Sequence, residues 1–134
     1  MLKILSFAQK GLIVDQKHSH LLASKYLTSK FLPEKLTNKL CLPGGQIEWG
    51  ENPDISFIEE VRQETGITIT PLLPFYIWSW TYPKGNTQKQ IVAVARLGIY
   101  RSGRIKPPLK KKRPLLISPD GYPLTRSRYC FPNL

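Results

Sequence analysis

The chain has 134 residues, 41% of them hydrophobic, and a formal net charge of +11; that length suits one domain with a real core but not two. No apolar run approaches the roughly 18 to 20 residues of a membrane helix, and the apolar stretch at residues 2–8 is too short for a signal peptide, so a cytoplasmic location without membrane contact is the expectation. Cys41 and Cys130 lack the paired spacing of a zinc or redox motif, and His18 and His20, with no acidic or thiol neighbour at ligand spacing, read as loop residues in preference to metal ligands.

In chain order, residues 11–14 and 21–25 read as two strands around a polar turn at residues 15–19, a hairpin pattern. Residues 27–38, broken by Pro33, read as a loop or a short irregular helix. Cys41 sits in an apolar context and reads as a small core residue. Residues 40–42 form a short strand that enters Pro43-Gly44-Gly45, where two glycines can take backbone angles closed to other residues and let the chain approach a ligand.

Asn52-Pro53-Asp54 is a helix start: Asn caps, Pro suits the first helical position, and Asp favours the positive end of the dipole. The helix spans residues 53–65 and ends at Gly66, a left-handed cap. Ile55, Ile58 and Val61, with Phe57 less regularly placed, supply an apolar stripe at helical spacing, and the helix is expected to pack by its Ile58 and Val61 side.

Residues 67–69 begin a new extended segment, and residues 75–82 alternate. Tyr76, Trp78, Trp80 and Tyr82 share one face; packing over a helix is the favoured reading of that row and stacking of a nucleobase the alternative. After a turn at residues 83–86, residues 89–100 return as a strand apolar on both sides, hence central. Arg96, a lone charge on that strand, needs a carboxylate or phosphate partner, which makes it a candidate substrate-phosphate contact. A mixed sheet with a helix against it is the consistent architecture, an α+β fold.

After Gly103 the character changes. Six of the 12 prolines fall in the last 28 residues, and Lys110, Lys111, Lys112 and Arg113 form a cationic run. Residues 101–134 hold 9 Lys or Arg against 1 acid, whereas residues 1–100 hold 11 against 8. Neither helical nor strand periodicity survives there. The expected organisation is a folded domain at residues 1–103 and a basic, Pro-rich tail at residues 104–134. That tail reads either as a disordered solvated segment or as one that binds nucleic-acid phosphates without reading sequence.

The chemistry lies in residues 42–69. Pyrophosphate cleavage needs a divalent cation to neutralise phosphate oxygens and activate water, and Mg2+ takes one or two carboxylates with water and phosphate completing its shell. Glu60 and Glu64, four residues apart, present carboxylates on one helix face. Gly45 is followed after five residues by Glu51, and after seven more by Glu59-Glu60-Val61-Arg62-Gln63-Glu64-Thr65-Gly66-Ile67. This block closely resembles the Nudix box of pyrophosphate hydrolases, with departures at Glu59, where the family has Arg, and at Gln63, where it has Glu.

The resemblance covers about residues 5–102. It implies a Nudix-like α/β/α sandwich with a mixed sheet, although the closing strand and C-terminal helix usual in the family have no visible pattern here. It implies that Glu60 and Glu64 serve metal binding and the attacking water, that the Gly45 carbonyl adds a metal ligand, that Gln63 falls on a metal-binding glutamate and lacks its charge, and that Glu51 supports the site. The implied cofactor is Mg2+ or Mn2+, and the implied substrate a nucleoside diphosphate linked to another moiety. Beside the motif, and read from the residues themselves, Trp78, Trp80 and Arg96 stand as candidate substrate contacts. No Asp or Glu lies between Glu64 and Asp120, so the ligand set is thin, and weak turnover with a raised metal requirement is expected. The rival reading is a non-catalytic nucleotide- or RNA-binding module on the same fold, its basic tail supplying affinity.

Overall fold

The computed structural model of the chain describes residues 1–16, 21–26, 40–105 and 112–117. Among these, β1 (Leu2–Val14), β2 (Leu21–Tyr26), β3 (Leu40–Cys41), β4 (Gly44–Ile47), β5 (Ile67–Lys84), β6 (Thr87–Gly103) and β7 (Lys112–Ile117) make one sheet, and α1 (Pro53–Thr65) packs on it. The strand order is β3-β2-β1-β6-β5, with β4 also paired to β1 and β7 to β2. β1 and β6 run parallel through the centre, and the other pairs are antiparallel. The sheet is therefore mixed, and the fold is α+β.

The helix is written in its local sequence. The Asn52 side chain accepts hydrogen bonds from the backbone N–H of Asp54 (2.9 Å) and Ile55 (3.2 Å), satisfying two of the donors that a helix start leaves without partners. At the other end Gly66 has φ of 84° and donates its N–H to the Arg62 carbonyl at 2.8 Å. The Thr65 hydroxyl donates to the Val61 carbonyl and accepts from the N–H of Ile67, leading the chain directly into β5.

The buried helix face is Ser56, Phe57, Val61 and Thr65, with Ile58 half-buried against the core. Ile55, expected in the apolar stripe, is 63% exposed, and Phe57 takes the central place instead. The reason is tertiary: a β-carbon on Gly11 would stand 2.8 Å from the Phe57 ring, so this flat part of the sheet admits an aromatic side chain. Phe57 joins Ile13, Leu22, Val61, Ile67, Ile69, Tyr100 and Ile105 in the main core. Its burial contributes about 2 kcal/mol.

Three further features depart from the expected outline. β5 is one strand through Pro71 and Pro74, because irregularities in its pairing with β6 absorb both prolines. Residues 112–117, within the segment without visible periodicity, form β7, with Pro114 opposite Ser24 of β2. Cys41 is half-buried, not enclosed in the core. The loop or helix expected at residues 27–38, residues 17–19 of the turn expected at 15–19, His18, His20, Lys110, Lys111 and Cys130 lie outside the described residues. Among the described residues no helix is long and apolar enough to cross a membrane.

The aromatic row also differs from its favoured reading. Gln9 faces α1, so its chain neighbours Ala8 and Lys10 face the opposite side of the sheet. Trp78 and Tyr82 pack with Ala8, Ile91 and Ala93 on that opposite side. Tyr76 (64%) and Trp80 (41%) remain exposed. The rings of Tyr76 and Trp78 stack at 5.9 Å between centroids, and those of Trp78 and Trp80 at 6.4 Å. Among the described residues the row is an aromatic surface without a helix over it.

Candidate active site

The glycine bend and the acidic helix meet face to face. The Pro43 carbonyl accepts from the N–H of Gly11 at 2.7 Å, which ties the bend to β1. Gly44 has φ of 144°, and a β-carbon there would strike the Gln9 carbonyl oxygen at 2.1 Å, so only glycine fits. The Gly44 N–H donates to Glu64 Oε2 at 3.1 Å. A β-carbon on Gly45 would lie 2.6 Å from Glu60 Oε2 and 2.7 Å from its carboxyl carbon. Gly45, Glu60 and Glu64 are thus brought together as the motif implies, and both carboxylates are half-buried.

The remaining motif residues sit at its margins. Glu51 closes the loop between β4 and α1: its Oε2 accepts from the Glu48 N–H at 2.8 Å, while its own N–H donates to the Glu48 carbonyl at 3.1 Å. Gln63 is exposed on the helix. Glu59 does not act on Glu60 as an unscreened like charge, because Arg62 grips it, Nη2 to Oε2 at 2.8 Å. That hydrogen bond, and then the attraction of the guanidinium, lower the Glu59 carboxyl below its ordinary range. The Glu59 and Arg62 side chains are each about half exposed, 47% and 48%, so solvent screens the pair and it adds little to stability.

A cleft of about 380 Å³ opens beside the bend, lined by Lys10, Gly44, Gly45, Gln46, Trp80 and Tyr82 over a floor of Ala8 and Ile91. It has an aromatic wall, a glycine edge and a cation. Lys89 adds a second ammonium nearby, held at 3.3 Å from Gln46 Oε1. Trp80 reaches this cleft and Trp78 stacks behind it. Lys10 and Gln46 are absent from the sequence reading of the site, because they come to the same cleft only once β1 pairs with β4.

Arg96 lies elsewhere. It is 8% exposed and directs its donors into the protein: Nη2 to Asp54 Oδ1 at 2.7 Å, Nη1 to Gln9 Oε1 at 2.9 Å and Nε to the Leu72 carbonyl at 3.0 Å. The charge that needed a carboxylate or a phosphate has found a carboxylate, at the first turn of α1.

The donor set can be tested against a divalent cation. Among the described residues no three His, Cys, Asp or Glu side chains converge at metal-binding range. Two half-buried carboxylates against a glycine backbone nevertheless suit Mg2+, which keeps several waters and binds through one or two carboxylates. The space that a Gly45 side chain would fill is where the Glu60 carboxylate sits, so backbone and carboxylate share one small volume.

The sequence matches the NUDIX domain over residues 9–115. The chain belongs to this family. A 43-residue stretch is 40% identical to 8-oxo-dGTP diphosphatase of Escherichia coli K12, covering 32% of this chain and 33% of that protein, so the match spans only about a third of the relative's length. Among solved NUDIX-type structures, the mutator MutT protein from Bacillus halodurans is similar at a TM-score of 0.66 and 20% identity, over 86% of this chain and 69% of that one. The MutT NUDIX hydrolase from Burkholderia pseudomallei is similar at 0.65 and 19%, over 91% and 89%. At these identities the likeness establishes the NUDIX fold.

Proposed function

We propose that the chain hydrolyses a pyrophosphate bond in a nucleoside diphosphate linked to another moiety, with Mg2+ or Mn2+ held by Glu60, Glu64 and the Gly45 carbonyl. The observation that carries this reading is the meeting of Glu60 with Gly45 and of Glu64 with Gly44. Family membership supports nucleotide hydrolysis in general terms, and the match to an 8-oxo-dGTP diphosphatase puts oxidised nucleoside triphosphates on the list of substrates to test.

The bound cation supplies charge neutralisation and a more acidic water. The chain's own residues do the rest. Glu60 and Glu64 provide the anionic ligands, and whichever of them is not fully engaged accepts the proton of the attacking water. That water's oxygen bonds to phosphorus while the bridging P–O bond breaks, releasing two phosphate-bearing products. Lys10 and Lys89 offset negative charge on the phosphates in the cleft. Trp80 and Tyr82, with Trp78 behind, give a base a flat surface on which to stack.

Gln63 shapes the expected rate. Its amide oxygen lacks the charge of the glutamate usual in the family, so metal affinity is reduced and turnover needs more metal. The test is a panel of nucleoside triphosphates, 8-oxo-dGTP, dinucleoside polyphosphates and nucleotide sugars, with and without Mg2+. Metal-dependent release of phosphate or nucleoside monophosphate from at least one supports the proposal. No turnover of any member at high enzyme concentration sinks it.

One observation favours a second reading, a non-catalytic nucleotide-binding module: among the described residues no three His, Cys, Asp or Glu side chains gather at metal-binding range. Tight binding of a panel nucleotide without turnover at any metal concentration would establish that module in place of the enzyme.

A further inference from the structure

The packing of α1 leaves a question of alignment. Where Phe57 meets the sheet, the floor is Gly11 and Gly98, two residues without side chains to interlock with the ring. Ile13 and Ile69 flank the ring and apolar packing drives the helix onto this floor, but non-directional contact over two glycines fixes rotation and slide less sharply than aimed hydrogen bonds do. Glu60 needs such fixing. It sits so close to Gly45 that one added carbon would fall at 2.6 Å, and a working site tolerates displacements of only about 0.5 Å.

A directional device is present at the first turn. Arg96 bonds Asp54 through Nη2, Gln9 through Nη1 and the Leu72 carbonyl of β5 through Nε, with its guanidinium carbon 4.9 Å above the centre of the Phe57 ring. Gln9 in turn donates through Nε2 to the Pro53 carbonyl at 2.9 Å. The Arg96 and Gln9 pair therefore holds the first turn at two points, the Pro53 carbonyl and the Asp54 carboxylate, and anchors them to β1, β5 and β6. A planar fork with fixed donor directions sets an angle, which a single flexible ammonium does not.

We propose that Arg96 is a positioning residue of this site: through Asp54 and Gln9 it fixes the rotation and slide of α1, so that Glu60 and Glu64, further along the helix, meet Gly44 and Gly45 in metal-binding register. This rests on the reading of Glu60 and Glu64 as the metal holders. Glu60 lies six residues beyond Asp54, about 9 Å along the axis, so a small rotation at the first turn is carried rigidly to the carboxylate. The role differs from contact with substrate phosphate, since the donors of Arg96 are directed at Asp54, Gln9 and Leu72.

The test measures Mn2+ binding by electron paramagnetic resonance, without substrate, on the full chain and its Arg96→Lys, Asp54→Asn and Glu60→Gln variants, with thermal unfolding alongside. Arg96→Lys keeps the charge and loses the fork; the expected result is cooperative unfolding with Mn2+ affinity down about tenfold, the size of effect typical of residues that orient metal ligands. Asp54→Asn, at a side chain 63% exposed, is expected to stay folded and lose a smaller factor in the same direction. Folded Arg96→Lys with wild-type Mn2+ affinity overturns the proposal; if that variant does not fold, unchanged affinity in Asp54→Asn overturns it. Glu60→Gln separates the two layers. If it binds Mn2+ as well as wild type, or wild type binds none, the metal reading fails and the positioning role falls with it.

Discussion

Glu60 and Gly45 touch across the gap between helix and bend, closely enough that a single methyl group on Gly45 would lie 2.6 Å from Glu60 Oε2. The motif's first glycine and its helix carboxylate, 15 positions apart in the sequence, are thus one structural unit. Gly45→Ala should push the Glu60 carboxylate out of that space. The expected loss is about tenfold or more in metal affinity, with a stability cost of only about 1 kcal/mol. A metal titration of turnover paired with thermal unfolding checks this, and parallel losses in both would show a general folding defect instead.

Gln63→Glu restores a charged ligand where the family has one. It should lower the metal concentration at half-maximal turnover by about tenfold, because affinity for a hard cation rises with ligand charge. An unchanged half-saturation point would mean that position 63 takes no part in metal binding.

Trp80→Ala should weaken nucleotide binding by about 1–3 kcal/mol, the usual contribution of a base stacked on an aromatic side chain. The measurement is calorimetric titration with a non-hydrolysable nucleotide. Equal affinity in wild type and variant would leave the aromatic row as surface packing.

The pair of Glu59 and Arg62 gives a pH signature. Arg62 lowers the Glu59 carboxyl below its ordinary value of 4.5, so the folded state binds that proton less readily than the unfolded chain. The contribution is therefore present above the ordinary carboxylate range and is lost as pH falls through the depressed value. Glu59→Gln should lower the unfolding midpoint slightly at neutral pH, and the gap from wild type should close on acidification. A gap that widens in acid would contradict the assignment.

The sequence made α1 legible from end to end, because Asn52, Pro53 and Gly66 are local signals that act within a few residues. It also paired Glu60 with Glu64 and joined them to the glycine bend through motif spacing. The Ile58 and Val61 side that the apolar stripe marked does meet the core, but the central place of Phe57 was not legible, since Phe57 displaces Ile55 only because Gly11 and Gly98 lie beneath it. The partners of Arg96 were hidden for the same reason: Gln9 is 87 positions away and Asp54 is 42. The continuity of β5 was not legible either, because residues 67–69 and 75–82 are joined only by the pairing irregularities that carry the strand past Pro71 and Pro74, and β7 takes its place from its pairing with β2 and not from its own periodicity.

The central claim is that Glu60 and Glu64, held against Gly44 and Gly45, bind the divalent cation that drives hydrolysis. Its most direct test is the Mg2+ dependence of product release from the best panel substrate in wild type and in the Glu60→Gln, Glu64→Gln double variant. The account predicts saturable Mg2+ dependence in wild type and turnover at background in the double variant, which should still unfold cooperatively. Turnover that persists in the double variant with the wild-type Mg2+ profile would contradict it.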